Sequence, residues 1–219
     1  MRSLLLKAAL LACAALAGLP AAAGPLRVSV VDKEGKPVAD AVVVLVTASA
    51  GTPKPLPARV TITQEKMRFI PAVTLVAPGA QALFINNDPW EHHVRGGAAG
   101  AANFDSHAQG GFELRLDGKA PGKAAPSQEV RFEKPGAVLL GCHLHASMRG
   151  HVYVAESPWA AVSAEDGVAA FDGVPEGPVR IRVWHADQLI DLPPQSLALG
   201  VAAANATMQL SVVPRRRRA

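Results

Sequence analysis

The 219-residue sequence predicts an all-β protein of Greek-key β-sandwich architecture, on three observations. Short runs rich in Val, Leu, Ile and Phe recur along the chain, Gly and Pro breaks separate them, and only Leu4 to Leu19 reads as helix. In order the runs are Leu26 to Val31, Ala41 to Val46, Val60 to Thr63, Val73 to Val76, Ala82 to Ile85, Glu129 to Phe132, Ala137 to Leu140, Val152 to Ala155, Val179 to Val183 and Thr207 to Val213. Between them stand turn signals such as Glu34-Gly35-Lys36-Pro37, Pro78-Gly79, Pro135-Gly136, Glu165-Asp166-Gly167 and Pro175-Glu176-Gly177. This spacing suggests antiparallel sandwiches. Ser196 to Ala204 is readable either as a short helical turn or as a strand.

Arg2 and Lys7 flank and interrupt the apolar run Leu4 to Leu19, and Ala21-Ala22-Ala23 supplies a small-residue cleavage pattern before Gly24. Residues 1–23 therefore read as a secretory signal peptide, and the mature chain is expected to be exported, to the periplasm or otherwise. A retained membrane anchor is the alternative, disfavoured because the run is short for a spanning helix. No transmembrane anchor is expected after processing. Removal of the leader takes away Cys13 and two positive charges, so the formal net charge of +4 becomes about +2. Cys142 is then the lone cysteine, which excludes an intramolecular disulfide and leaves burial, reactivity or metal binding. Arg215 to Arg218 concentrate four positive charges in a basic tail over 214–219, so the rest of the body is near neutral. With one tyrosine and no lysine-rich face, nucleic-acid binding is excluded.

The mature length suits one large sandwich or two small ones. Ala48 to Pro57 is a joint rich in Ser, Ala, Gly and Pro, Gly96 to Gly111 a small-residue loop, and Asp117 to Ser127 an exposed excursion. The expected organisation is residues 24–57 as the first strands of a small sandwich with its joint, 58–156 as a metal-capable sandwich, and 157–213 as the remainder of the small one. On this reading residues 25–50 pack with residues after 157. The rival is that the early strands edge the metal-capable unit.

Two segments carry chemistry. Gly141-Cys142-His143-Leu144-His145-Ala146-Ser147-Met148-Arg149-Gly150 offers a thiolate, an imidazole and a thioether within seven residues, and Asn86-Asn87-Asp88-Pro89-Trp90-Glu91-His92-His93-Val94 adds histidines about 50 residues upstream. Two histidines, one cysteine and a distant methionine suit copper in an electron-transfer protein, with Cys and the histidines roughly in a plane and Met weakly on the axis. Met148 as a filler at the end of the core is the structural alternative. No serine nucleophile motif, paired carboxylates, phosphate loop or metalloprotease helix appears, so no enzyme activity and no small-molecule substrate are expected.

Asn86-Asn87-Asp88-Pro89-Trp90-Glu91-His92, Pro135-Gly136 and Cys142-x-x-His145-x-x-Met148-Arg149-Gly150 resemble the copper site of the plastocyanin and amicyanin group of cupredoxins. The resemblance implies a cupredoxin-like sandwich holding one copper, cycling between Cu(I) and Cu(II). It matches His92 to the upstream ligand, Cys142 to the thiolate, His145 to the solvent-facing ligand and Met148 to the axial one. His93 stands where the family often has Asn, as a substitute ligand or a residue bracing the site. His143 is expected to point away. A paired His-His-Val, a Leu-Gly-Cys and a later Val-Trp-His are similar to exported proteins labelled methylamine-utilisation proteins. Val28 to Val43 and Ala164 to Gly177 resemble the two halves of a carboxypeptidase-regulatory-like domain, an Ig-like or prealbumin-like sandwich whose implied role is support or partner binding.

The expected function is a one-electron carrier between periplasmic redox partner proteins. Copper delivery, sensing or protection is the alternative, and a metal-free partner-binding sandwich the third reading.

Overall fold

The computed structural model describes residues 24–99 and 111–215. The expected leader with Cys13, much of the small-residue loop with His107, and the end of the arginine tail lie outside the described residues. Among the described residues all regular structure is β, and no helix is long and apolar enough to cross a membrane.

Strands from the two ends of the chain pair with one another. β1 (Leu26–Val31) lies between β13 (Val168–Phe171) and β16 (Ala204–Gln209). β2 (Val42–Thr47) lies between β12 (Ala160–Val162) and β14 (Gly177–Trp184), with β15 (Gln195–Leu199) at the far edge. Alternation sends Leu26, Val28 and Val30 of β1 and Val179, Ile181 and Val183 of β14 into one apolar core with Val43, Leu45 and Phe171.

The middle of the chain builds a second pair of sheets. One has the order β4 (Arg68–Ile70), β3 (Arg59–Glu65), β6 (Ala80–Asn86), β9 (Ser127–Phe132). The other has the order β5 (Val73–Val76), β11 (Arg149–Val154), β10 (Gly136–Cys142), β7 (His92–Ala98), β8 (Phe112–Leu116). Ile62, Phe69, Phe84, Phe132, Leu140 and Val152 fill the space between them, and Cys142 and Met148 belong to the same cluster. The chain crosses repeatedly between these two sheets, as a Greek-key sandwich requires.

The run Val42-Val43-Val44-Leu45 has no polar alternation because both faces of β2 are covered. Val43 and Leu45 face the first core, whereas Val42 and Val44 pack against Val73 and Tyr153, flanked by Leu75, Ala137 and Trp184. Each such aliphatic burial contributes about 1.5–3 kcal/mol. At the rim of this seam the Tyr153 hydroxyl donates to Glu156 at 3.0 Å, and Arg182 donates to the other Glu156 oxygen at 2.7 Å. Burial, and then the Glu156 charge, push the tyrosine well above its ordinary pKa.

Most strand pairs are antiparallel, as expected, but three are not. β1 with β16, β5 with β11 and β3 with β6 run parallel. These pairs join segments remote in the sequence, so no hairpin dictates their direction. Residues 195–199 resolve as a strand, and β7, where no strand was expected, reaches into the glycine stretch read as a loop. Gly96 is required there, because a β-carbon would overlap the Phe112 ring of β8.

Candidate metal centre

The sandwich built by the middle of the chain carries the chemistry at one end, where β6 turns into β7 and β10 turns into β11. Asn86 closes β6 with no exposed surface. Its Nδ2 lies 2.8, 3.2 and 2.8 Å from the carbonyl oxygens of Trp90, Leu116 and Asp117, and its Oδ1 accepts from the Asp88 N–H at 2.9 Å. One side chain thus shapes the loop that delivers His92. From the other side the Lys119 N–H donates to the Asp88 carbonyl at 2.8 Å, and Gly118 sits so close to the Pro89 carbonyl that no β-carbon fits.

Asp88 is buried and holds three donors. Its carboxylate accepts from the N–H groups of Lys66 at 2.6 Å and Met67 at 2.9 Å, and lies 2.9 Å from His92 Nε2. Burial alone would raise its pKa, but the Met67, His92 and Lys66 hydrogen bonds outweigh that and hold the carboxyl below its ordinary value. Lys66 and Met67 form the two-residue turn between β3 and β4, with φ of 51° and 55°. Positive φ at both positions is the type I′ hairpin geometry that glycine and asparagine favour. Here Asp88 anchors both strained amides.

His92 opens β7 fully buried. With Nε2 tied to a carboxylate, the ring carries its proton there and turns the Nδ1 lone pair inward, as in carboxylate-oriented metal histidines. Nδ1 of His92 lies 3.6 Å from Cys142 Sγ. Nδ1 of His145 lies 3.4 Å from the same sulfur, and the two imidazoles meet edge to face at 4.9 Å. The loop after Cys142 closes on itself, with Met148 N–H donating to the His145 carbonyl at 2.9 Å and Cys142 N–H to the Met148 carbonyl at 3.2 Å. Met148 is 1% exposed.

The three donor atoms of His92, Cys142 and His145 all lie within 4.8 Å of one another. Metal bonds of about 2.0–2.1 Å to nitrogen and 2.3 Å to sulfur, at tetrahedral to trigonal angles, separate the two ligand atoms by about 3.5–3.8 Å. The 3.6 Å spacing to His92 falls within that separation, and the 3.4 Å spacing to His145 about 0.1 Å below it. The convergence of both nitrogens on one sulfur fits a shared cation. The chemistry of the donor set, two imidazoles and a thiolate, fits copper or zinc.

His93 points the other way. As the next residue of a strand it faces the opposite side of the sheet, where its Nε2 lies 3.2 Å from Glu113 Oε2 and its ring 5.6 Å from that of His143. His151 and Tyr153 stack instead around Trp184, each at 5.4 Å, away from the donor group. Asp88 and Asn86 are residues bracing the candidate site that sequence reasoning passed over. The signal for Asp88 was its place four residues before a candidate ligand histidine in a Pro-containing turn.

No protein-family model matches this sequence, and no curated protein matches it. Solved structures do. The chain is similar to amicyanin from Paracoccus versutus, at 19% identity over 51% of this chain and 97% of that one, with a TM-score of 0.35. The reduced Cu(I) form of an amicyanin mutant matches at 19% identity over 51% and 98%, TM-score 0.35. A copper-containing nitrite reductase from Thermus scotoductus SA-01 matches at 21% identity over 58% of this chain and 28% of that chain, TM-score 0.36.

Proposed function

We propose that this chain is an exported copper protein that carries single electrons between redox partner proteins, with His92, Cys142, His145 and Met148 as the ligands of one copper. The observation that carries the reading is the convergence of two Nδ1 atoms on the Cys142 sulfur at 3.6 and 3.4 Å. A bound copper ion supplies one-electron cycling between Cu(I) and Cu(II). The chain's own contribution is to hold the donors still and dry. Asp88 fixes the His92 ring, Asn86 and Gly118 fix the loop beneath it, and burial of Cys142 and Met148 keeps water out. Little then moves when charge changes, which is what fast electron exchange needs. His145, only partly buried, is the exit toward a partner, and the exposed Trp90, Leu144 and Met67 supply apolar docking surface around that end.

We further propose that residues 58–156 are a unit inserted into a support sandwich made by 24–57 and 157–213. The pairing of β1 with β13 and β16, and of β2 with β12 and β14, supports it.

Copper titration of the mature protein, followed by visible absorption and electron paramagnetic resonance, is the test. The expected result is a strongly absorbing thiolate-to-copper band that Cys142→Ser abolishes, with His92→Ala and His145→Ala each losing tight cupric binding. Reversible cycling with fast partner exchange supports electron transfer, whereas release of copper to an acceptor without cycling would replace the carrier reading with delivery. Binding unchanged by Cys142→Ser would sink the site.

A further inference from the structure

The face of the sheet opposite the thiolate group carries a second set of imidazoles. Strand β10 is registered on β7 so that Cys142 opposes Val94, and the His143 N–H continues the pairing by donating to the His93 carbonyl at 2.8 Å. His143 therefore stands directly across from His93. The two rings are 5.6 Å apart and tilted by 59°. Directly opposed residues of antiparallel strands have β-carbons only about 4.5–5.5 Å apart, so modest side-chain rotation closes both rings on one ion.

A carboxylate is already in place beside them. Glu113 of β8 lies diagonally across from His93, with Oε2 at 3.2 Å from His93 Nε2, while Arg95 holds Oε1 at 2.9 Å. The arginine thus orients the carboxylate and leaves its other oxygen toward the imidazole. Space is available too. Gly141, two residues before His143 on β10, has no atom within 4 Å of where its β-carbon would stand.

We propose that His93, His143 and Glu113 form a second site, for a late first-row divalent cation such as Cu(II) or Zn(II), on the outer face of the sheet. Two imidazoles and a carboxylate are a ligand set these ions accept, with water completing the shell on the open side. The strand alternation that turns His92 and Cys142 inward turns His93 and His143 outward, so the two sites share a backbone and no ligand. The outer site does not depend on Cys142.

The test is titration of the full mature chain with Cu(II), reading paramagnetic resonance and the thiolate band together. Two equivalents are expected, one with the thiolate band and one without it. Cys142→Ser should lose the first and keep the second, whereas His143→Ala and His93→Ala should lose the second and keep the first; Glu113→Gln should weaken only the second. His143 is exposed, so its variant separates loss of a ligand from loss of the fold. Uptake of a bandless equivalent in the absence of the band would sink the proposed function and leave this site standing. A single equivalent that carries the thiolate band, or a bandless one undiminished in both histidine variants, would overturn it.

Discussion

Replacing Asp88 with Asn tests how the histidine at the mouth of β7 is held. The carboxylate presents two oxygens to three donors, at 2.6, 2.9 and 2.9 Å, and is nearly isosteric with the amide that would replace it. Asn keeps one acceptor oxygen and turns an NH₂ group toward a donor. At least one buried N–H is then orphaned at about 1–3 kcal/mol, and the weakening of the remaining charge-assisted bonds brings the expected loss to about 2–4 kcal/mol. Denaturant unfolding of the metal-free protein at neutral pH reads that loss directly. The pH dependence has a defined sign. Because folding lowers the Asp88 pKa, its stabilisation is complete above the ordinary value of 3.8 and disappears as pH falls through the lower folded value. The gap between wild type and D88N should therefore close only on the acid side. Copper affinity should fall about 10–100-fold, as for other carboxylates that orient a metal histidine. A D88N protein with wild-type stability at neutral pH and wild-type copper affinity would refute this account of the loop.

Met148→Leu should keep the fold and most copper binding while shifting the reduction potential, read by voltammetry beside a copper titration; complete loss of binding would require a different ligand set. Replacing Lys66-Met67 with Asn-Gly should stabilise the metal-free protein by about 1 kcal/mol in denaturant unfolding, since the backbone amides that Asp88 uses are retained and the positive-φ strain is relieved. Val44→Ala, at the seam between β2 and Tyr153, should cost about 1.5–3 kcal/mol in the same assay, without altering the thiolate absorption of the copper-loaded protein.

Much of this was legible in the chain because strand periodicity and ligand chemistry are local. The Cys142-x-x-His145-x-x-Met148 spacing announced a loop that folds back on one strand end, and the loop does so through its own backbone hydrogen bonds. The choice between His92 and His93 was not legible, because alternation gives one inward residue without saying which. Leu116 and Val94, buried on the same face, decide the phase only once the sheet is assembled. The role of Asp88 was hidden for a related reason. Its partners are backbone amides of Lys66 and Met67, more than twenty residues upstream, and a backbone amide has no signature in a sequence. Short strands such as β4 and β12 were missed because three residues carry too little pattern, and β7 because Gly96, which makes room for Phe112, and Gly97 read locally as a loop.

The doubly covered β2 has a consequence for anyone who would cut the molecule apart. Val73, Leu75, Ala137 and Tyr153 line the outer face of the sheet that also bears Cys142, and β2 with Trp184 is what shields them. An excised segment of 58–156 would keep every donor atom of the thiolate group and yet display an apolar wall, with Tyr153 stripped of its ring contact to Trp184. Such a fragment should self-associate through that wall, and its solubility would then report on the missing flanks while its colour reported on the copper.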